Sequence, residues 1–115
     1  MGLSLVLLWL FGAQPQPKMA YEMRVTGYHV KAGDRGALNE TVVPGRHAAV
    51  SPACIELLGE KVYVRGHGVY IINDLAVSEL DSMFGICTID LAKGTRKQAK
   101  AVGNSVCTVV HIPKR

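Results

Sequence analysis

The chain has 115 residues, 49% of them hydrophobic and 19% charged, with a formal net charge of +4. That size allows one domain with a real core, and that composition excludes a disordered chain. The only Trp lies at position 9, and the basic residues are scattered apart from Arg96, Lys97 and Lys100, so the basic-aromatic interleaving of single-stranded nucleic-acid binding is absent and no nucleic-acid partner is expected.

Leu3–Phe11 (LSLVLLWLF) has Ser4 as its only polar member, and no charged residue precedes Lys18. The run is too short to span a bilayer, which needs about 20 residues, but it suits the core of a secretory signal. Gly12-Ala13 and Gln14-Pro15-Gln16-Pro17 follow as a cleavage region and extended linker. Residues 1–18 are therefore read as leader and linker, and 19–115 as the folded domain. The rival reading is an apolar first strand. The leader predicts a secreted, periplasmic or wall-associated protein with no transmembrane helix in its mature form.

Tyr21–Tyr28 alternates apolar and polar residues, as a half-buried strand does. Residues 31–46 carry Gly33, Asp34, Gly36, Asn39, Pro44 and Gly45 and read as a long loop. His47–Ser51 is a short strand stopped by Pro52, and Ile55–Leu58 a brief apolar stretch closed by Gly59. Lys61–Arg65 and Val69–Ile72 flank Gly66-His67-Gly68 and predict a β-hairpin. Asp74 is placed just after its second strand. Leu75–Phe84 reads as a loop with helical character, and Gly85–Leu91 as a strand. Thr95–Val102 is a helix with a Thr95/Gln98 capping box, an inward face of Ala99 and Val102, and Gly103 at its end. Ser105–Ile112 closes the domain. Six strands and one short helix predict an all-β fold, a compact barrel whose closure removes edge strands.

Of the acidic residues, Asp90 stands out because it lies among Ile86, Ile89 and Leu91. Burial there raises a carboxyl pKa and makes a usable general acid; the alternative is an outward Asp capping the turn at Lys93-Gly94. Asn73-Asp74 has the same two readings, site or turn. The histidines 29, 47, 67 and 111 form no HxH or HxxxH pair, so no metal site is expected. There is no GxSxG elbow, GxGxxG or Walker loop. The three cysteines, Cys54, Cys87 and Cys107, leave at least one unpaired, and burial of Cys87 and Cys107 and disulfide formation both stay open.

Taken in order, AVSP at 49–52, Leu58-Gly59, KVYVRGHGVYIINDL at 61–75, Thr88-Ile89-Asp90, a helix ending Val102-Gly103-Asn104 and a final VCTVVHI resemble a three-aspartate (3D) domain over residues 24–112. The resemblance implies a six-stranded double-psi β-barrel and peptidoglycan lytic transglycosylase activity without a cofactor, with glycan strands as partner. Of the three aspartates, the first falls at Ser51 and is absent, the second matches Asp74, and the third matches Asp90, the position of the catalytic acid. Leu75-Ala76-Val77 replaces the Thr-Gly-Gly that usually follows the second. The barrel of rare lipoprotein A is similar through Asn73-Asp74 and Ile89-Asp90-Leu91. On this resemblance Asp90 and Asp74 are the catalytic candidates, and Tyr28, Ser51 and Asn73 the substrate-binding ones. Tyr70 is a further candidate for sugar stacking, with core packing as its alternative. The rivals are a non-catalytic polysaccharide-binding module on the same barrel and an expansin-like loosening protein.

Overall fold

The computed structural model describes residues 16–76 and 85–114. The leader run, Val77 and the rest of the stretch to Phe84 lie outside the described residues. Six strands form one closed barrel: β1 (Ala20–His29), β2 (His47–Val50), β3 (Lys61–Val64), β4 (Gly68–Leu75), β5 (Thr88–Lys93) and β6 (Ser105–Ile112). Their order around the barrel is β1-β5-β2-β4-β3-β6, and β6 pairs back onto β1. Two pairs are parallel, β1 with β5 and β2 with β4, and the other four are antiparallel. This mixed order is compatible with a double-psi barrel.

The alternation read from the sequence places the interior. Met23, Val25, Ala48, Val50, Val62, Val64, Ile72, Ile89, Leu91 and Val109 are buried in one cluster. Their partners across the ladders are one another: Val25 opposes Ile89, Ile89 opposes Val50, and Leu91 opposes Ala48. Side chains in register on neighbouring strands share a face, so each row fills one layer of the barrel. Tyr70 is 2% exposed and packs in this cluster, with its hydroxyl accepting from Lys93 Nζ at 2.7 Å. It therefore serves core packing and offers no surface for stacking a sugar.

The predicted hairpin forms between β3 and β4, with Gly66 and Gly68 at positive φ in its turn. β4 runs on through Asn73 and Asp74 to Leu75, where the sequence suggested a strand end and a loop. The reason is its second neighbour: β2 pairs with this extension in parallel, and a hairpin reading supplies only one partner. β5 starts at Thr88 and extends to Lys93 because β1 pairs with it as far as His29. Pro52–Leu57 is a 3-10 turn. It is tied to the start of β5 by a Cys54–Cys87 disulfide spanning 6.1 Å between Cα atoms, while Cys107 is a free thiol. Helix α1 (Arg96–Val102) is capped by Thr95, whose Oγ1 accepts the Gln98 amide at 3.0 Å. The helix docks on β1 at Gly27, where a Cβ would fall 2.7 Å from the Ala99 carbonyl oxygen. No helix among the described residues is long and apolar enough to cross a membrane.

Candidate functional site

The residues that alternate with the core rows point outward from the barrel, and one outward row gathers the predicted acids. Across β1, β5, β2 and β4 the register runs Thr26, Asp90, Ala49, Asp74. Asp90 and Asp74 are thus brought level, on either side of Ala49. Two interstrand spacings put their backbones about 10 Å apart. The small Ala49 side chain between them is itself covered, at 4% exposed.

This meeting depends on an irregularity. The ladder between β2 and β4 shifts between Ala48 and Ala49, so that Ala48 faces Ile72 while Ala49 faces Asp74. Asn73 is the residue skipped. Without that bulge the next residue would oppose Ala49 and every later side chain would change faces. Asn73 is 0% exposed, and its Oδ1 and Nδ2 have no hydrogen-bond partner among the described residues. Gly36 lies directly over it: a Cβ there would overlap the Asn73 carbonyl oxygen. The loop before β2 therefore covers Asn73, and a sugar has no path to its side chain in this arrangement.

That loop, residues 31–46, is organised rather than irregular. Arg35 and Thr41 form a bridge, the Val42 amide donates to the Asp34 carbonyl, and Val42 packs with Val30, Ala92 and Tyr28 in a second, smaller apolar cluster. Tyr28 opposes Ala92 across the parallel ladder, one step along from the Thr26–Asp90 pair. Its ring is half-buried, and its hydroxyl is buried without a hydrogen-bond partner among the described residues. Burial pushes its pKa up to about 12, with added repulsion from the charges of Asp74, Asp90 and Asp34. Tyr28 is thus a neutral phenol at any ordinary pH, held among three carboxylates.

Asp90 is partly buried, and its pKa is raised by that burial, against the lowering effect of a hydrogen bond from Thr26 Oγ1 to Oδ1 at 2.9 Å. Ile89 and Leu91 face the core, so this burial comes from what lies on the outer face and not from the two flanking residues. One Asp74 oxygen accepts the amide of Leu75 at 2.9 Å. Ser51 lies in a different setting. It is 1% exposed, and its Oγ accepts the Thr88 amide at 3.0 Å. Arg24 donates from Nε to the Thr88 hydroxyl beside it. Ser51 therefore joins β2 to β5 as a structural hydroxyl.

Two contributors were not singled out from the sequence. Thr26 is one, and its signal was its place opposite Asp90 in a parallel ladder, which requires the strand order. Asp34 is the other, in that its charge adds to the upward shift of Tyr28, while its carboxylate accepts the Lys31 amide within its own loop. Among the described residues no group of three or more His, Cys, Asp or Glu side chains is placed to hold a metal ion. A groove of about 430 Å³ begins at Thr26 and Tyr28 and runs along α1 past His29, Arg96 and Lys100. A larger cavity, about 690 Å³, lies beside the disulfide between Tyr21 and Ile86, and neither Asp74 nor Asp90 lines it. Neither acid lines the smaller groove either, but Thr26, whose hydroxyl donates to Asp90, does, so the smaller groove is the one that adjoins the acid row. No known family model matches the chain, and no curated protein is significantly similar to it.

Proposed function

We propose that this domain is a lytic transglycosylase of peptidoglycan, acting outside the cytoplasm on the bond between N-acetylmuramic acid and N-acetylglucosamine. The observation that carries the reading is the level placement of Asp90 and Asp74 on one outward row, with Asp90 raised in pKa by burial and steadied by Thr26. A barrel compatible with the double-psi type supports it, and so does the resemblance to three-aspartate domains. The Cys54–Cys87 disulfide supports an oxidising compartment.

The chemistry needs one carboxyl that changes state. Protonated Asp90 donates its proton to the glycosidic oxygen as the bond to the muramyl C1 breaks. As carboxylate it then takes the proton of the muramyl C6 hydroxyl, whose oxygen closes on C1 to give a 1,6-anhydro sugar. No water is consumed, which separates this course from two-carboxyl glycoside hydrolysis. Thr26 occupies Oδ1 and leaves Oδ2 for the sugar. Asp74, on the far side of Ala49, would orient the sugar through its hydroxyls, while Tyr28, whose hydroxyl is buried, would contribute the part-exposed edge of its ring.

A second reading, a non-catalytic glycan-binding module, is favoured by Ser51. At the position of the family's first aspartate the chain has a buried hydroxyl committed to the Thr88 amide, and no carboxylate. The test uses the full chain and its Asp90→Asn variant on isolated peptidoglycan, with products read by mass spectrometry. Anhydromuropeptides from the wild type and none from the variant are expected. Retention of both forms on the glycan with no soluble product from either would leave the binding module standing.

A further inference from the structure

The groove that leaves the acid row has a chemical character of its own. It starts at Thr26, which bonds Asp90, and at Tyr28, and its outer wall is α1. Arg96 and Lys100 are four residues apart, one helical turn, so both side chains fall on the same edge of that wall. Both are exposed, and among the described residues neither pairs with a carboxylate. His29 lies with them, and no Asp or Glu lines this groove. A path about 430 Å³ in volume that begins at Thr26, the hydrogen-bond partner of Asp90, and passes two unpaired cations fits a chain with a sugar beside that pair and an anion further along.

We propose that Arg96 and Lys100 form an anion subsite that selects carboxylate-bearing glycan over neutral glycan. This rests on the transglycosylase reading for the identity of the polymer. The recognised group is a carboxylate displayed on the muramyl unit, either its lactyl carboxyl or a carboxyl of an attached peptide. Arg96 can take it in a forked pair of hydrogen bonds, and Lys100 adds a mobile point charge. The subsite orients the strand so that the glycosidic oxygen comes to Asp90, which makes Arg96 and Lys100 specificity residues rather than catalytic ones.

The test measures binding of the full chain by isothermal titration, over a matched series of salt concentrations, to three soluble strands: peptide-bearing, peptide-free with free lactyl carboxyls, and the peptide-bearing strand with its carboxyls amidated. Wild type should prefer a carboxylate strand to the amidated one by about fivefold, the sum expected of two exposed charge contacts. The R96Q/K100Q variant should lose that preference and show a shallower dependence of affinity on salt, and R96K/K100R should largely restore both. Preference kept by the peptide-free strand assigns the lactyl carboxyl; preference confined to the peptide-bearing strand assigns the peptide. An equal preference in wild type and R96Q/K100Q overturns the subsite, as does no binding to any strand. Binding with the expected preference but no anhydro product from wild type would retain the subsite and reject the transglycosylase.

Discussion

Proton binding at Asp90 is coupled to the stability of the fold, and the sign can be worked out. Burial raises its pKa in the fold above the ordinary carboxylate value of about 4. The folded state therefore holds the proton more tightly than the unfolded chain does. Stability from this group is greatest below the unfolded pKa and declines as pH rises through the window up to the raised folded pKa. Asp90→Asn, which is never ionised, should not show that decline, so its melting temperature should gain on the wild type as pH rises across the window. Thermal melts at a series of pH values check this, and parallel profiles would refute it. Thr26→Val removes the bond that favours the charged form, so Asp90 should titrate at higher pH still, seen as an upward move of its carboxyl resonance by NMR. At this scale the sequence was informative where a residue conflicted with its surroundings. Asp90 stood out as an acid in an apolar stretch, although its neighbours Ile89 and Leu91 turn to the opposite face. Thr26 was not, because a hydroxyl in a half-buried strand conflicts with nothing.

Among the elements, the strands were legible where one face is wet and the other dry. β6 is Ser105–Ile112, as its alternation predicts, and α1 is capped by Thr95 as its sequence indicates. The strand ends were less legible, since β4 is lengthened, and β5 carried two residues further along the chain, by parallel partners some 25 to 65 positions away. The bulge at Asn73 left no local mark either, being the mismatch between two strands. The disulfide is of the same kind: three cysteines allow three pairings, and only the folded chain selects Cys54 with Cys87. Those two are 33 positions apart, and opening a loop of that size is worth about 2–4 kcal/mol through the unfolded chain. The C54S/C87S variant should lose about that much in urea denaturation, and a reducing agent should lower the wild type to the same midpoint. If the denaturation curve of the wild type is unchanged by the reductant, the bridge adds nothing to the fold.

For the whole molecule, closure into a barrel was expected from the number of short strands, while the order β1-β5-β2-β4-β3-β6 was not readable. Hydrophobic alternation states which face of a strand is buried and carries no information about which strand lies beside it. The candidate site depends on that order. Its four positions, Thr26, Ala49, Asp74 and Asp90, come from four strands and are adjacent only because β5 and β2 lie between β1 and β4.

The closing strands also set the timing of assembly. Both neighbours of β1, namely β5 and β6, are the last strands in the chain. During synthesis the first strand leaves the ribosome with no partner, and it stays unpaired until some 60 further residues have followed. β3 likewise lacks one side until β6 arrives. The nascent domain is thus an open ribbon until its end is made, and the acid row is among the last features to assemble. A chain stopped at Asn104 should fail to unfold cooperatively when heated and should expose the backbone amides of β1 to hydrogen exchange. Whatever meets the chain before β6 is made meets unpaired strand edges, and barrel closure is the step that hides them.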